Sequence, residues 1–270
     1  MHPVARHPIR QQLRDWLIAR AMAPINIGGD TVDSITIDGQ DVQEVTVDGD
    51  TVYTQSDIPD SAIHQWFFDE GSGTTVEDEV GTLDGAINGA SWSSDADLEG
   101  GWGLSFGGNN DEVDFARIDS EVTVSGVSYS IAMTINPDDI SNRTLFYEHQ
   151  QDNFDRVMLG TNSSEVFFNL YDGGQHPKST GTGPVGSNRM RVCATYDGTV
   201  GNHKIWIDGS DETNATAGGT GDSNLQNGHK IGLSASQDGD FPGIIDHPII
   251  YDSELSASEV QQDYDAQPWS

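Results

Sequence analysis

From Ile63 onward, the chain repeats one pattern, in which short runs of β-branched and aromatic residues are separated by Gly, Asn, Asp and Ser. The runs include SYSIAMTI, TLFYEH, EVFFNLYDG, MRVCATYDG, HKIWIDG and GIIDHPIIYD. Such runs, broken at close spacing by turn-forming residues, predict many short strands. We therefore expect an all-β sandwich over this part of the chain. A short helix is expected after Leu255, because Ser256 and Glu259 have the spacing of a capping box.

Side chains alternate between the two faces of a strand, so about half of the aromatic residues of a sandwich lie in its core. We expect the core to include Trp66, Phe68, Phe106 and Trp206. The single cysteine, Cys193, lies in the apolar run MRVCATY and is expected to be a small buried side chain. One cysteine excludes an internal disulfide framework.

Three phrases occur in a fixed order: WFFDEGSG at Trp66 to Gly73, LSFGGNNDEVDF at Leu104 to Phe115, and a tail from Ala194 to Val260 that ends in IIDHPIIYDSELSASEV. Together they resemble the laminin-G-like, concanavalin A-like lectin and glucanase modules, and the resemblance covers about Ile63 to Tyr264. It implies a jelly-roll sandwich. Because this fold hosts binding modules, structural domains and glycosidases, it leaves the function open.

The chain is strongly acidic, with 44 Asp and Glu against 12 Lys and Arg and a formal net charge of −32. The acids are spread along the chain, as in proteins of salt-loving archaea, where molar salt screens the self-repulsion. The alternative is an ordinary acidic extracellular domain that binds calcium. A field of this sign repels phosphate, so nucleic acid is not expected as a partner.

The chain contains no apolar run long enough to span a membrane and no apolar core of a signal peptide at its amino terminus. We expect a protein that reaches the outside by another route, for example on the surface of a virion released at lysis.

Residues 1–24 differ from the rest of the chain because basic residues dominate them. An apolar stripe that includes Trp16 and Leu17 and a basic stripe of Arg6, Arg10 and Arg14 predict an amphipathic helix. Three alternatives remain: packing on its own domain, lying at a membrane interface, and docking on an acidic partner protein. We favour docking on another virion protein, because the helix buries too little apolar surface for firm membrane residence.

Residues 25–55 contain a ten-residue repeat, in which DTVDSITIDG (Asp30 to Gly39) aligns with QDVQEVTVDG (Gln40 to Gly49). Alternating β-branched residues followed by Asp-Gly predict hairpins. A three-stranded meander of this size is not stable alone, so we expect it to pack on the main domain or to form a stalk with other copies of the chain. The repeats resemble the shafts of fibres and spikes of tailed viruses of halophilic archaea. Residues 56–62 are interpreted as a linker, and residues 63–270 as the sandwich.

The laminin-G-like resemblance implies a structural calcium ion in many members of the family. Transferred to this chain, its ligands are Asp69, the carbonyl region near Gly107, and Asp246. Hard cations of this kind take oxygen ligands. The chain departs from the family at His247, where a second acid often follows the aspartate.

Glycosidases need two carboxylates about 5 to 10 Å apart across the scissile bond. The nearest string here is Glu112-Val-Asp114, which lacks the further glutamate of the sandwich glucanases. We interpret it as a strand with Val113 and Phe115 in the core, and we expect no enzymatic activity.

Sugar binding uses aromatic faces together with polar side chains that bond the hydroxyls. Six residues of two neighbouring segments fit this chemistry: Tyr147, His149, Asn153, Arg156, Tyr171 and His176. The hypothesis is a non-enzymatic, oligomeric virion surface protein, whose lectin-like head binds a glycan or glycoprotein of the host surface. The alternatives are structural decoration of a capsid or tail without sugar binding, and a cellular adhesion or calcium-dependent binding module of a halophile.

Overall fold

The computed structural model describes residues 26–27, 30–31, 45–47, 50–53, 58–95, 98–108, 110–115, 127–149, 156–163, 165–171, 178–182, 188–198, 203–216, 229–232 and 239–268. The chain divides into two compact units, Met1–Asp57 and Ile58–Ser270. The predicted anchor helix, with Arg6, Arg10, Arg14, Trp16 and Leu17, lies outside the described residues.

The described residues of the first unit form two pairs of short antiparallel strands. Strand β1 (Asn26–Ile27) pairs with β2 (Asp30–Thr31), and β3 (Val45–Val47) pairs with β4 (Asp50–Tyr53). Val47 lies opposite Asp50, so the second pair is joined through Asp48-Gly49, as the Asp-Gly signal predicts. The equivalent turn predicted at Asp38-Gly39 falls outside the described residues.

The described part of the second unit contains 17 strands. These are β5 (Ala62–Gln65), β6 (Thr75–Val76), β7 (Gly85–Asn88), β8 (Ser91–Ser94), β9 (Trp102–Gly107), β10 (Glu112–Phe115), β11 (Tyr129–Pro137), β12 (Arg143–His149), β13 (Arg156–Asn162), β14 (Glu165–Tyr171), β15 (Lys178–Thr182), β16 (Met190–Tyr196), β17 (His203–Ile207), β18 (Ser210–Asp211), β19 (Thr213–Thr216), β20 (His229–Ile231) and β21 (Pro242–Tyr251). A 3₁₀ turn (Glu99–Gly101) precedes β9, and helix α1 (Ala257–Asp265) follows β21.

The strands form two sheets packed as a sandwich. The nine-stranded sheet has the order β19-β15-β14-β13-β12-β20-β10-β7-β6. The eight-stranded sheet has the order β18-β17-β16-β11-β21-β9-β8, with β5 paired to β21 as well. The all-β jelly-roll class expected from the sequence is confirmed. Within the described ranges, no helix is long and apolar enough to cross a bilayer.

The main core lies between the two sheets and follows the period of two expected for strands. Ile131 and Met133 of β11 are fully buried against Phe168 and Leu159 of the other sheet. The expected core residues Trp66, Phe68 and Phe106 belong to this cluster. Alternate residues therefore carry the stability of the sandwich, and the residues between them lie on the two outer surfaces.

A second, smaller core lies on the other side of the eight-stranded sheet, under α1. Cys193 and Trp206 are buried there beside Val260 of the helix. The helix begins at the predicted capping box, in which Ser256 Oγ accepts from the Glu259 amide at 3.4 Å and the Glu259 carboxylate accepts from the Ser256 amide at 2.8 Å. The helix thus covers one surface of the sandwich.

Candidate functional site

The candidate site is the outer face, by which we mean the side of the nine-stranded sheet that points away from the core. On β12, β13 and β14 the inward positions are apolar and include Phe146, Leu159 and Phe168. Because side chains alternate, the residues between them occupy the outer face. This face carries most of the polar and aromatic residues that the sequence suggested for ligand binding.

The strand register aligns these residues in two rows across the sheet. In the first row, His149 of β12 lies opposite Arg156 of β13, and Arg156 lies opposite Tyr171 of β14. In the second row, Tyr147 pairs with both Met158 and Lys230. Neighbouring strands are about 4.8 Å apart and the two rows about 6.6 Å apart, so the residues form a compact patch.

Four of the six predicted ligand-binding residues therefore share one face: Tyr147, His149, Arg156 and Tyr171. The other two, Asn153 and His176, lie outside the described residues. The second row also extends to Lys178 of β15, which lies opposite Asn169 of β14. Lys178 was not among the predicted ligand-binding residues.

An ion-pair cluster forms the border of this patch on β10 and β20. Lys230 Nζ lies 2.7 Å from Glu112 Oε2 and 3.4 Å from Asp114 Oδ1. The Asn88 side chain donates to Glu112 Oε1 at 3.3 Å. Val113 and Phe115, which alternate with the two acids, are buried as expected. Lys230 was not predicted as a site residue, and the one signal for it in the sequence is the rarity of lysine, which occurs at three positions of the chain.

The three residues proposed for calcium are not all brought together. A Cβ built on Gly100 would lie 2.4 Å from the Asp69 side chain, which places Asp69 near the start of β9. Gly107 ends the same strand and lies opposite Pro242, four residues before Asp246 on β21. This spacing corresponds to about 13 Å along the strand. One ion therefore cannot bind near both Gly107 and Asp246.

Among the described residues, no group of three or more His, Cys, Asp or Glu side chains has the geometry of a metal site. Calcium binding by the chain stays a prediction. His247 is the residue at which the chain departs from the family pattern. Its side chain is fully buried, its φ is +48°, and it lies beside a register shift in the pairing of β11 with β21. Burial lowers the pKa of His247 to about 3, so its ring is neutral.

The surface of the eight-stranded sheet under α1 carries a buried polar network. The Arg191 guanidinium donates to both carboxylate oxygens of Asp263, at 2.7 and 2.8 Å, and to the His247 carbonyl at 2.7 Å. The Tyr251 hydroxyl donates to Asp263 at 2.6 Å. Since Arg191 and Asp263 are almost completely buried, this network joins helix to sheet.

Helix α1 thus packs on the eight-stranded sheet around Arg191, and the titratable groups buried there join the helix to the sheet. Burial raises the pKa of the Cys193 thiol well above its ordinary value, which makes the thiol unreactive, as expected.

A family model of the concanavalin A-like lectin/glucanases superfamily matches residues 106–261, more than half of the chain, and the protein therefore belongs to this superfamily. A comparison with curated proteins returns no match.

Among solved structures, domain 4 of AbnA, a GH43 extracellular arabinanase from Geobacillus stearothermophilus, superposes with a TM-score of 0.57 and 18% identity over 76% of this chain and 98% of that one. The binding domain of botulinum neurotoxin serotype G gives 0.59 and 17% over 76% of this chain and 51% of that one. A Trypanosoma rangeli sialidase gives 0.55 and 14% over 77% of this chain and 33% of that one. The chain thus spans about half of the neurotoxin domain and a third of the sialidase. At these identities the likeness shows the fold alone.

Proposed function

We propose that this protein is a non-enzymatic surface protein of a virus particle, a fibre, spike or turret, whose sandwich binds a glycan of the host surface through the outer face. The observation that carries the proposal is the alignment of His149, Arg156 and Tyr171 across three neighbouring strands. Aromatic residues for sugar rings, set beside donors for hydroxyl groups, are the chemistry of a saccharide site.

The similar structures favour a binding role. The arabinanase domain was solved with arabinotriose, and the neurotoxin structures are of binding or receptor-binding domains. Each of these domains is one part of a larger protein, and each is described as a binding domain or was solved with a sugar ligand. This supports, for our chain, a saccharide or glycoprotein as the partner of the sandwich.

The geometry around Glu112 and Asp114 supports the absence of glycosidase activity. A glycosidase needs a carboxyl group that donates a proton to the glycosidic oxygen, which lies between its two acids. Here the Lys230 ammonium contacts both acids, at 2.7 and 3.4 Å, and fills that space. The pair is therefore better suited to bordering a binding face than to catalysis.

The remaining parts of the proposal rest on the sequence. The basic segment of residues 1–24, on a chain of net charge −32, suits docking of the amino-terminal end on an acidic virion protein. The repeat of residues 25–55 suits self-association in a stalk. The acidic composition suits a virus of a halophilic host.

Glycan binding is tested with the full chain on an array of neutral and charged saccharides, in parallel with Tyr171→Ala. We expect the wild type to bind a subset of the array, and Tyr171→Ala to lose at least tenfold in affinity, since truncation of a tyrosine anchor at a binding site costs about 2 kcal/mol or more. Tyr264→Ala, on the opposite side of the sandwich in α1, is the matched control and keeps wild-type binding. An equal loss of affinity in Tyr171→Ala and Tyr264→Ala would show that the binding site is not on the outer face.

The virion role is tested by mass spectrometry of purified particles and by light scattering of the full chain. The proposal expects the protein in particles and a discrete oligomer in molar salt. A protein that is present in particles but binds no saccharide would be structural decoration. A protein that is absent from particles and loses binding on removal of calcium would be a cellular binding module.

A further inference from the structure

We infer that the side-chain nitrogens of Asn142, Asn162 and Asn214 carry N-linked sugar chains, which gather at one end of the nine-stranded sheet. Each of these residues begins an Asn-x-Ser/Thr triplet, the acceptor pattern of N-glycosylation, and no other asparagine of the chain does so. Among 14 asparagines a few such triplets arise by chance, so what matters is their placement in the fold. Such sugars are attached to the chain rather than bound by it, so the three sites go beyond the proposed function.

Two of the three sites lie at the ends of neighbouring strands. Asn142 directly precedes β12, and Asn162 is the last residue of β13. Since Arg143 lies opposite Thr161 in the pairing of these strands, Asn142 and Asn162 are level with each other. Neighbouring strands are about 4.8 Å apart, so the two sites are adjacent in the sheet.

The third site lies in a β-bulge of strand β19. In the pairing of β15 with β19, Gly181 lies opposite Thr213 and Thr180 lies opposite Ala215, which makes Asn214 the extra residue of the bulge. Bulges change the direction of a side chain at the edge of a sheet. The Asn214 side chain is exposed at this position.

The sheet register brings this third site to the same end as the other two. Val166 of β14 lies opposite both Thr161 and Gly181, so the strand neighbours of Asn162 and Asn214 share one level of the sheet. Three strand spacings separate the two sites, which corresponds to about 14 Å. Triplets that are far apart in the sequence therefore form one group in the fold.

The backbone at this end of the sheet presents the asparagines to solvent. Asn142 is exposed and Asn162 is half-buried. Asn142 has a φ of +45°, and Ser163, which follows Asn162, has a φ of +58°. The Ser163 amide donates to the Ile140 carbonyl at 2.9 Å, which holds the two turns side by side. A sugar on either nitrogen therefore extends away from the core.

Attachment joins the asparagine Nδ2 to C1 of an activated sugar phosphate, whose carrier is a lipid or a nucleotide. The N–C bond forms as the bond from C1 to the phosphate oxygen breaks, the phosphate leaves with its carrier, and the amide proton passes to a base of the transferase. The pattern requires a hydroxyl two residues after the asparagine. Thr144 is 3% exposed, and its hydroxyl donates to Met158 Sδ at 3.8 Å. Sugar transfer to Asn142 therefore precedes the packing of β12.

A sugar on Asn214 also protects an edge of the sheet. Among the described strands, β19 (Thr213–Thr216) lies at one end of the nine-stranded order and carries neither a charge nor a proline. An edge of this kind can pair with another chain, and a bulky, solubilising sugar prevents such pairing. Arg156 is six residues from Asn162, about 20 Å along β13, so the sugars lie away from the first row of the outer face.

The test is mass spectrometry of the full chain, purified from the cells or particles that produce it. We expect an intact mass above the 29.1 kDa of the polypeptide, and peptides that carry sugar on Asn142, Asn162 and Asn214 and on no other asparagine. A peptide found only in the unmodified form would remove that asparagine from the group, and three unmodified peptides would overturn the inference. Blocking synthesis of the lipid-linked donor distinguishes the two carriers, because sugar from a nucleotide donor then remains.

Two substitutions at one position separate the acceptor pattern from exposure alone. Thr216→Ala keeps Asn214 but removes the hydroxyl of its triplet, so the sugar on Asn214 should be lost, whereas Thr216→Ser should retain it. Asn88→Gln, at an exposed asparagine followed by Gly-Ala, is the matched control and should leave the added mass unchanged. Sugar on Asn214 in Thr216→Ala would overturn the assignment. Light scattering should show larger assemblies of Thr216→Ala than of Thr216→Ser, and equal masses would contradict the protection of β19.

Discussion

The ion pair between Arg191 and Asp263 joins the carboxyl-terminal helix to the sheet, and its removal should be the most damaging small change in this sandwich. Asp263 accepts two hydrogen bonds from Arg191 and one from Tyr251, in a place from which water is excluded. In Asp263→Ala, the guanidinium keeps the His247 carbonyl at 2.7 Å and the Thr134 hydroxyl at 3.4 Å as acceptors. A buried positive charge then has no negative partner.

Truncation of one partner of a buried pair costs about 3 to 5 kcal/mol, and the Tyr251 hydroxyl loses its acceptor at about 1 kcal/mol more. We therefore expect Asp263→Ala to lower the free energy of unfolding by about 4 to 6 kcal/mol. This is a change of about a thousandfold or more in the ratio of folded to unfolded protein, and a large part of the ~5 to 15 kcal/mol that stabilise a typical domain.

The assay is chemical denaturation followed by circular dichroism, in 0.5 M and in 3 M salt. Because the pair is buried, its contribution should differ little between the two salts. Asp265→Ala, an exposed acid two residues further along α1, is the matched control and should cost less than about 0.5 kcal/mol. A double replacement, Arg191→Met with Asp263→Leu, should recover most of the loss, because it leaves no unpaired charge.

A loss below about 1 kcal/mol in Asp263→Ala would refute the reasoning, as would a double variant no more stable than the single one. The pH dependence gives an independent check. Burial alone raises the pKa of Asp263, but the charge and hydrogen bonds of Arg191 outweigh it and lower the pKa below 3.8. The stabilisation is therefore present above pH 4 and is lost as the pH falls through the folded-state pKa.

Two further predictions concern stability. Burial lowers the pKa of His203 to about 4, against an opposing effect of Asp197. Because the imidazole of the unfolded chain takes up its proton near pH 6.5, His203→Phe should reduce the loss of stability between pH 7 and pH 4.5 by about 2 kcal/mol. An unchanged pH profile in chemical denaturation would contradict this. Asp78 accepts hydrogen bonds from His64 and from backbone amides that include those of Gly81 and Leu83. Asp78→Ala should therefore lower the free energy of unfolding by about 3 kcal/mol in the same assay, whereas the exposed Asp60→Ala should lower it by less than about 0.5 kcal/mol. Similar values for both variants would show that the Asp78 carboxylate does not hold the segment from Asp78 to Leu83 in place.

Local patterns in the sequence were enough to predict the fold class and much of the core. Trp66, Phe68, Phe106 and Trp206 are all buried as expected, because alternation along a strand is set by backbone geometry alone. The capping box of α1 was predicted for the same reason, since both of its partners lie within one turn. The alignment of His149 with Arg156 also joins residues close in sequence, in one hairpin.

Contacts between residues that are distant in the sequence could not be predicted from local patterns. Lys230 meets Glu112 across 118 residues because β20 lies between β10 and β12, and the same sheet order aligns Lys178 with the predicted site. Gly107 and Asp246 are separated by the register of β9 with β21. Sheet order and register depend on which distant strands pack best together. The sequence by itself therefore determined which residues form strands and which face of each strand is apolar. The tertiary structure alone decided which polar residues meet on the outer face, because those contacts depend on long-range pairing of strands.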